Sequence, residues 1–305
     1  MIKIFTCFCI SILSVALSAQ ITSAHYKIYD VKNQKTCSLE TIVGAMNSND
    51  ILLFGEEHND SVGHYIQMQV FELLYKQFGN NIALSMEMFD RDVQLVLNEY
   101  LADKIKERHF KKDARVWSNY INYRPLVEFA KTNNISITAA NAASRYSNLA
   151  GREGIKGLKS LPKIARQNFA PLPFDTASGA YHEKLSSFFG LNEKNEDGTP
   201  KPPAMHMQGF NMIVAQSLWD ATMAYSIAET WKKNRKSKIL HLNGRFHSDE
   251  KMAIYTQLKK YAPKVRILVI SCFADEQFAE FKFTDYHKLG DFIIVSDPII
   301  PKTYE

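Results

Sequence analysis

The sequence predicts an α/β fold: a parallel-rich central sheet covered by helices, with a mainly helical insertion that would act as a lid. Three observations carry this prediction. Short apolar runs rich in β-branched residues recur along the chain, helical periodicities fall between most of them, and one long stretch, about 145–208, holds no strand pattern. With 305 residues, 46% of them hydrophobic, the chain can bury one substantial core and lacks the charge-rich signature of disorder.

The N-terminal stretch "MIKIFTCFCISILSVALSAQITSA" carries Lys3, then an uncharged apolar run, then small residues at Ala19 and Ala24. This reads as a secretory signal peptide over 1–24, and Ser and Gln dilute it before it reaches the length of a membrane anchor. The expectation is a secreted or periplasmic protein with a single domain over 25–305; a membrane-anchored chain is the minority reading. Cleavage leaves Cys37 and Cys272, which could pair in an oxidising compartment or stand as two unrelated thiols.

The strand readings follow in order: "DILLFG" (50–55), "NIALSMEMF" (81–89), "ISITAAN" (135–141), "KILHLNG" (238–244), "VRILVISC" (265–272) and "DFIIVSD" (291–297). Each is a run expected where a strand is buried on both faces. Between them, Leu39, Ile42, Val43 and Met46 form one helical stripe, and Val62, Ile66, Val70, Leu73 and Leu74 another. The run 210–233 is apolar on several faces and reads as a mostly buried helix. The insertion gathers Gly, Pro and aromatics.

Polar clusters then fall at the carboxyl ends of the first four strands: "GEEH", "EMFDRD", "NAASR" and "NGRFH". In an open α/β sheet, ligands bind at that edge. His58 and His247 each close a turn begun by a glycine, Gly55 and Gly244, so a Gly-x-x-His is written twice. Glu87, between Met86 and Met88, needs internal compensation, and Arg124 or Arg145 could supply it as a structural ion pair. Glu56 and Glu57 are neighbours in extended chain and point opposite ways, so they are not read as a carboxylate dyad. Net charge is +5 and dispersed, which gives no reason to invoke nucleic acid. Neither a His-Glu-x-x-His helix nor a Gly-x-Ser-x-Gly elbow is present, excluding two common hydrolase designs.

Taken in order, "FGEEHND", "SMEMFDRDVQLVLNEYL", "NYRPLVEFAK", "ITAANAASR", "SGAYHEKLSSFFG", "AQSLWDATMA" and "HLNGRFHSD" resemble the ChaN-like haem-binding uptake proteins of the Tiki/TraB/erythromycin-esterase superfamily. The resemblance implies two Gly-x-x-His elements facing one site, with Glu56, His58, Glu87, Arg124, Asn141, Arg145, Asp220 and His247 as the shared polar residues. It implies haem as the ligand, a homodimer, and outer-membrane haem or iron uptake machinery as a partner. His58, Arg145, Tyr181, His206 and His247 are then the candidate haem contacts, with Arg124, Asn141 and Asp220 in support. The alternative it offers is a metal-dependent hydrolase with zinc or manganese on His58, His247 and Glu56, and with Glu56 or Glu87 as base; a non-catalytic binding scaffold is the third reading. The second element runs "GRFHSDE" here, where the family more often has Gly-x-x-His-Val.

Overall fold

In the computed structural model, residues 21–192 and 209–304 are described. The chain runs β1 (Tyr26–Asp30), β2 (Lys35–Thr36), α1 (Leu39–Ala45), β3 (Ile51–Glu56), α2 (Ser61–Phe78), β4 (Ile82–Asp90) and α3 (Gln94–Leu101). It continues through α4 (Glu107–Asp113), α5 (Tyr120–Thr132), β5 (Ile137–Asn141), α6 (Ser144–Ser160), α7 (Lys163–Arg166) and α8 (Gly179–Phe188). The last elements are α9 (Met212–Lys233), β6 (Lys238–Gly244), α10 (Ile254–Tyr261), β7 (Ile267–Ala274) and β8 (Phe292–Ser296). The signal-peptide reading falls almost wholly outside the described residues, and His206 lies outside them too.

All six strands read from the sequence are present, and they form one sheet in the order β2-β1-β8-β7-β3-β6-β4-β5. From β8 to β5 every neighbouring pair is parallel. The two strands not anticipated, β1 and β2, extend it antiparallel beyond β8. After β3 the chain lays down β4 and β5 to one side, returns to insert β6 between β3 and β4, and then crosses to β7 and β8 on the other. The reversal of direction therefore falls at β3 and β6, which opens a crevice at their carboxyl ends.

Alternate strand residues feed two cores. Leu52 and Phe54 face α1, α2 and α5, whereas Ile51 and Leu53 face α9 and α10, and all four are fully buried. Each such side chain contributes about 1.5–3 kcal/mol on leaving water, which is why a run without polar alternation folds as a central strand. The two longest helices, α2 and α9, are fixed at their starts by side chains. Asp60 accepts from the Val62 N–H at 2.9 Å to begin α2, and Asn211 accepts from the Val214 N–H at 3.0 Å to begin α9. α2 stops at Gly79, whose φ of +56° suits glycine.

In the described part of the insertion, α6 packs on α9 and is broken at Gly154 (φ +63°). α8 packs Tyr181 and Leu185 against Ile213 and Ala253. At the free edge of β5, the Gln94 side chain accepts from the Ala139 N–H at 2.8 Å and donates to the Ile137 carbonyl at 2.9 Å. Cys37 and Cys272 are both free thiols.

Candidate functional site at the β3 and β6 carboxyl ends

The doublet converges. β3 and β6 are hydrogen-bonded neighbours with Glu56 opposite Gly244, so the turns that follow them open on the same edge of the sheet. A Cβ built on Gly244 would lie 2.8 Å from His58 Nε2 and 3.8 Å from Glu87 Oε2, so only glycine lets His58 lie over the end of β6. Gly55 is equally constrained, because a Cβ there would stand 2.8 Å from the Arg245 Cα.

His58 is held from the α2 and α5 side. Its Nδ1 donates to Glu56 Oε1 at 2.7 Å, and the Tyr123 hydroxyl donates to the same oxygen at 2.5 Å. Gln67 donates its amide to Glu56 Oε2, and His64 Nε2 donates to the His58 carbonyl at 3.0 Å. Trp117 stands edge-on to the ring at 5.2 Å. With Nδ1 committed to the carboxylate, Nε2 is the nitrogen left to bind or accept. About a third of the side chain, 32%, stays open to solvent. Burial opposes charge on the ring, but the Glu56 hydrogen bond and the nearby Glu87 charge outweigh it and raise the pKa above the ordinary histidine value.

His247 is held from the α9 side. Its Nδ1 meets Asp220 Oδ1 at 2.6 Å, while its Nε2 faces Glu87 Oε1 at 3.6 Å. The second Asp220 oxygen accepts from the Tyr181 hydroxyl at 2.7 Å, and the Gln216 amide lies 3.2 Å from both ring nitrogens. Burial would discharge this ring, yet the two carboxylates win and push it up to about 9. Glu87 also accepts the Gly244 N–H at 2.7 Å, which answers how a carboxylate survives between two methionines.

Several expectations are corrected. Neither Arg124 nor Arg145 reaches Glu87: Arg124 binds Glu107 through two nitrogens, and Arg145 binds Asp92 and stacks on Tyr146. Tyr181 offers no free phenolate, since its hydroxyl donates to Asp220 and burial raises its pKa far above the ordinary tyrosine value. The proposed metal set of His58, His247 and Glu56 does not assemble, because Glu56 lies on the Nδ1 side of His58, with Tyr123, whereas Nε2 faces Gly244. Among the described residues no group of three or more His, Cys, Asp and Glu could hold a metal ion. Asn141 accepts from the adjacent Ala142 N–H at 2.9 Å instead of joining the histidines. Glu57 points away, toward Arg245 at 3.6 Å.

Sequence reading missed Tyr123, Gln67, His64 and Gln216. The signal available was a polar residue on an otherwise buried helical stripe: His64 and Gln67 interrupt the inward face of α2 beside Val62, Ile66 and Val70. At the mouth, Phe188 is 67% exposed and its ring sits 4.8 Å from that of Phe246, inside the second Gly-x-x-His turn.

A family model described as "Haem-binding uptake, Tiki superfamily, ChaN" matches residues 42–258. Among solved structures, the chain is similar to ChaN of Campylobacter jejuni, in a structure described as showing cofacial haem binding: 18% identity, 90% of this chain and 98% of that one covered, TM-score 0.64. It is also similar in outline to the type III effector HopBA1, at 12% identity, 85% and 93% coverage and a TM-score of 0.43. A Bacillus cereus protein follows at 15% identity, 82% and 72% coverage and a TM-score of 0.41. No curated protein matches the sequence.

Proposed function

Since the chain belongs to the haem-binding uptake family of ChaN within the Tiki superfamily, we propose that it binds haem at the mouth shared by the two Gly-x-x-His turns and serves haem or iron uptake or storage. The observation that carries the reading is His58. It is an imidazole anchored through Nδ1 by a carboxylate, open to solvent over a third of its side chain, with its Nε2 edge lying over Gly244 in the space a side chain there would take. A carboxylate-backed imidazole is a suitable axial donor to iron. The exposed Phe188 ring and the half-buried Phe246 ring supply apolar surface for a flat macrocycle, and Lys184, whose ammonium lies over Phe246 at 5.1 Å, would have to leave Glu250, 2.9 Å away, to meet its carboxylates.

The proposal places the mature protein outside the cytoplasm, on the strength of the apolar N-terminal stretch, and includes a homodimer and outer-membrane uptake machinery as the family resemblance implies. Among the described residues no helix is long and apolar enough to cross a membrane.

One observation favours a second reading, hydrolysis with His58 as general base. Two imidazole–carboxylate pairs, at 2.7 Å and 2.6 Å, stand behind neighbouring strands at one edge of the sheet, and an axial ligand alone does not require the second. Titrating the purified protein with haemin while recording the Soret band separates the readings. Saturable binding in the wild type, weakened by His58→Ala, supports the haem site. Failure of the wild type to saturate overturns it.

A further inference from the structure

Away from the histidines, on the α9 side of the sheet, Arg91 follows the end of β4 and turns its guanidinium onto the Tyr225 ring, 5.1 Å from the centroid. Its Nη1 donates to the Ser226 hydroxyl at 2.7 Å, but its buried Nε has no partner. Among the described residues no carboxylate lies within ion-pair distance of this guanidinium. Glu229, the nearest acid whose charge it feels, is turned toward Lys232 at 3.4 Å. A largely buried cation without a counter-ion is unusual, because desolvation costs several kcal/mol unless charge or hydrogen bonds compensate it. Burial accordingly lowers the pKa of Arg91.

Beside Arg91 lies a cavity of about 410 Å³ whose lining includes Lys163, Arg166, Gln167 and Tyr225. Three cations line it and no Asp or Glu does. Lys163 and Arg166 come from α7 and form no ion pair among the described residues. Stacking on Tyr225 fixes the plane of the Arg91 fork, the arrangement that suits paired contacts to two oxygens of one group. The cavity volume is that of a small-molecule site.

We propose that Arg91, Lys163 and Arg166 form a second binding site, for a small dianion of the phosphate or dicarboxylate class. Its occupant would set negative charge against Arg91 and balance the rim. This site shares no residue with the haem mouth, so either can fail without the other.

Calorimetric titration of the full chain at low ionic strength with inorganic phosphate, with succinate, and with chloride as control tests it. The expected result is saturable one-to-one binding of phosphate or succinate and none of chloride; the stronger of the two identifies the class. Arg91→Met should lower affinity at least about tenfold, equivalent to about 1.4 kcal/mol, and leave the haemin titration unchanged. Because Arg91→Met removes a partly buried side chain, the double variant Lys163→Ala, Arg166→Ala, at exposed positions, gives a second reading, and it too should weaken binding. Equal affinity in wild type and both variants, or no binding beyond the chloride control, overturns the proposal.

Discussion

Behind β3, His58 keeps a third of its side chain in solvent and rests on one carboxylate; behind β6, His247 is nearly enclosed, with one carboxylate against Nδ1 and another facing Nε2. The same four-residue spacing thus serves two different chemistries. The glycines determine where the backbone turns, but the helical layer packed behind each turn determines what the ring can do. Glu56 projects to the face of α2 and α5, where Tyr123 and Gln67 share its oxygens, whereas Glu87 projects to the face of α9, where Asp220 adds a second charge. His58 is therefore suited to meet a ligand, and His247 to serve as the fixed cation neutralising two buried acids.

The largest test of this contrast is stability. His247→Ala would leave Asp220 and Glu87 facing each other without a cation, and should cost about 3–5 kcal/mol. His58→Ala, at a half-open site, should cost about 1 kcal/mol. Urea denaturation of the two variants measures both, and equal losses would erase the distinction drawn between the turns.

A second test concerns the support behind His58. Glu56→Gln should lower haemin affinity about 10–100-fold, as loss of the group orienting a ligand imidazole does. A Soret titration indistinguishable from the wild type would remove Glu56 from the site.

The third test is pH. His247 holds its proton to about 9 when folded, against 6.5 for an ordinary histidine. Its contribution to stability is therefore complete below about 6.5 and lost as pH rises through about 9. His241, buried under the site against Ser85 at 2.9 Å, has the opposite sign, because burial lowers it to about 3. The unfolded chain takes that proton first, so this contribution is present above 6.5 and fades as pH falls toward 3. Thermal melts across pH should show both limbs; His247→Gln should flatten the alkaline one and His241→Gln the acid one.

The smallest expected effect belongs to Glu57→Gln, within about 0.5 kcal/mol, since that carboxylate is 31% exposed and only 3.6 Å from Arg245 at its closest. Glu87→Gln should exceed it clearly, because Glu87 receives the Gly244 N–H and faces His247.

The parallel strands were legible because each is a continuous apolar run, the direct consequence of helices on both faces. β1 was not, for "YKIYD" is mostly half-exposed and pairs antiparallel at the sheet's periphery. Glu56, His58, Glu87 and His247 could be read as one polar cluster because polar groups at strand ends stand out against apolar strands. Tyr123 could not, since on α5 it shares a stripe with Tyr120, Leu126 and Val127 and reads as core. Only the packing of α5 against α2 brings its hydroxyl to Glu56. Arg124, one residue further along the same helix, is turned outward to Glu107, which is why a match by position did not translate into a place at the site.

The side-chain amide of Gln94 occupies the outer ladder of β5 as a surrogate for one more strand. An edge strand with free backbone groups is a template on which a second chain can grow, the route to domain exchange and fibrillar stacking. Here a newcomer at Ile137–Ala139 must first expel an amide that already satisfies both the donor and the acceptor. The outer rim of β5 is thereby guarded by one glutamine against templated misassembly.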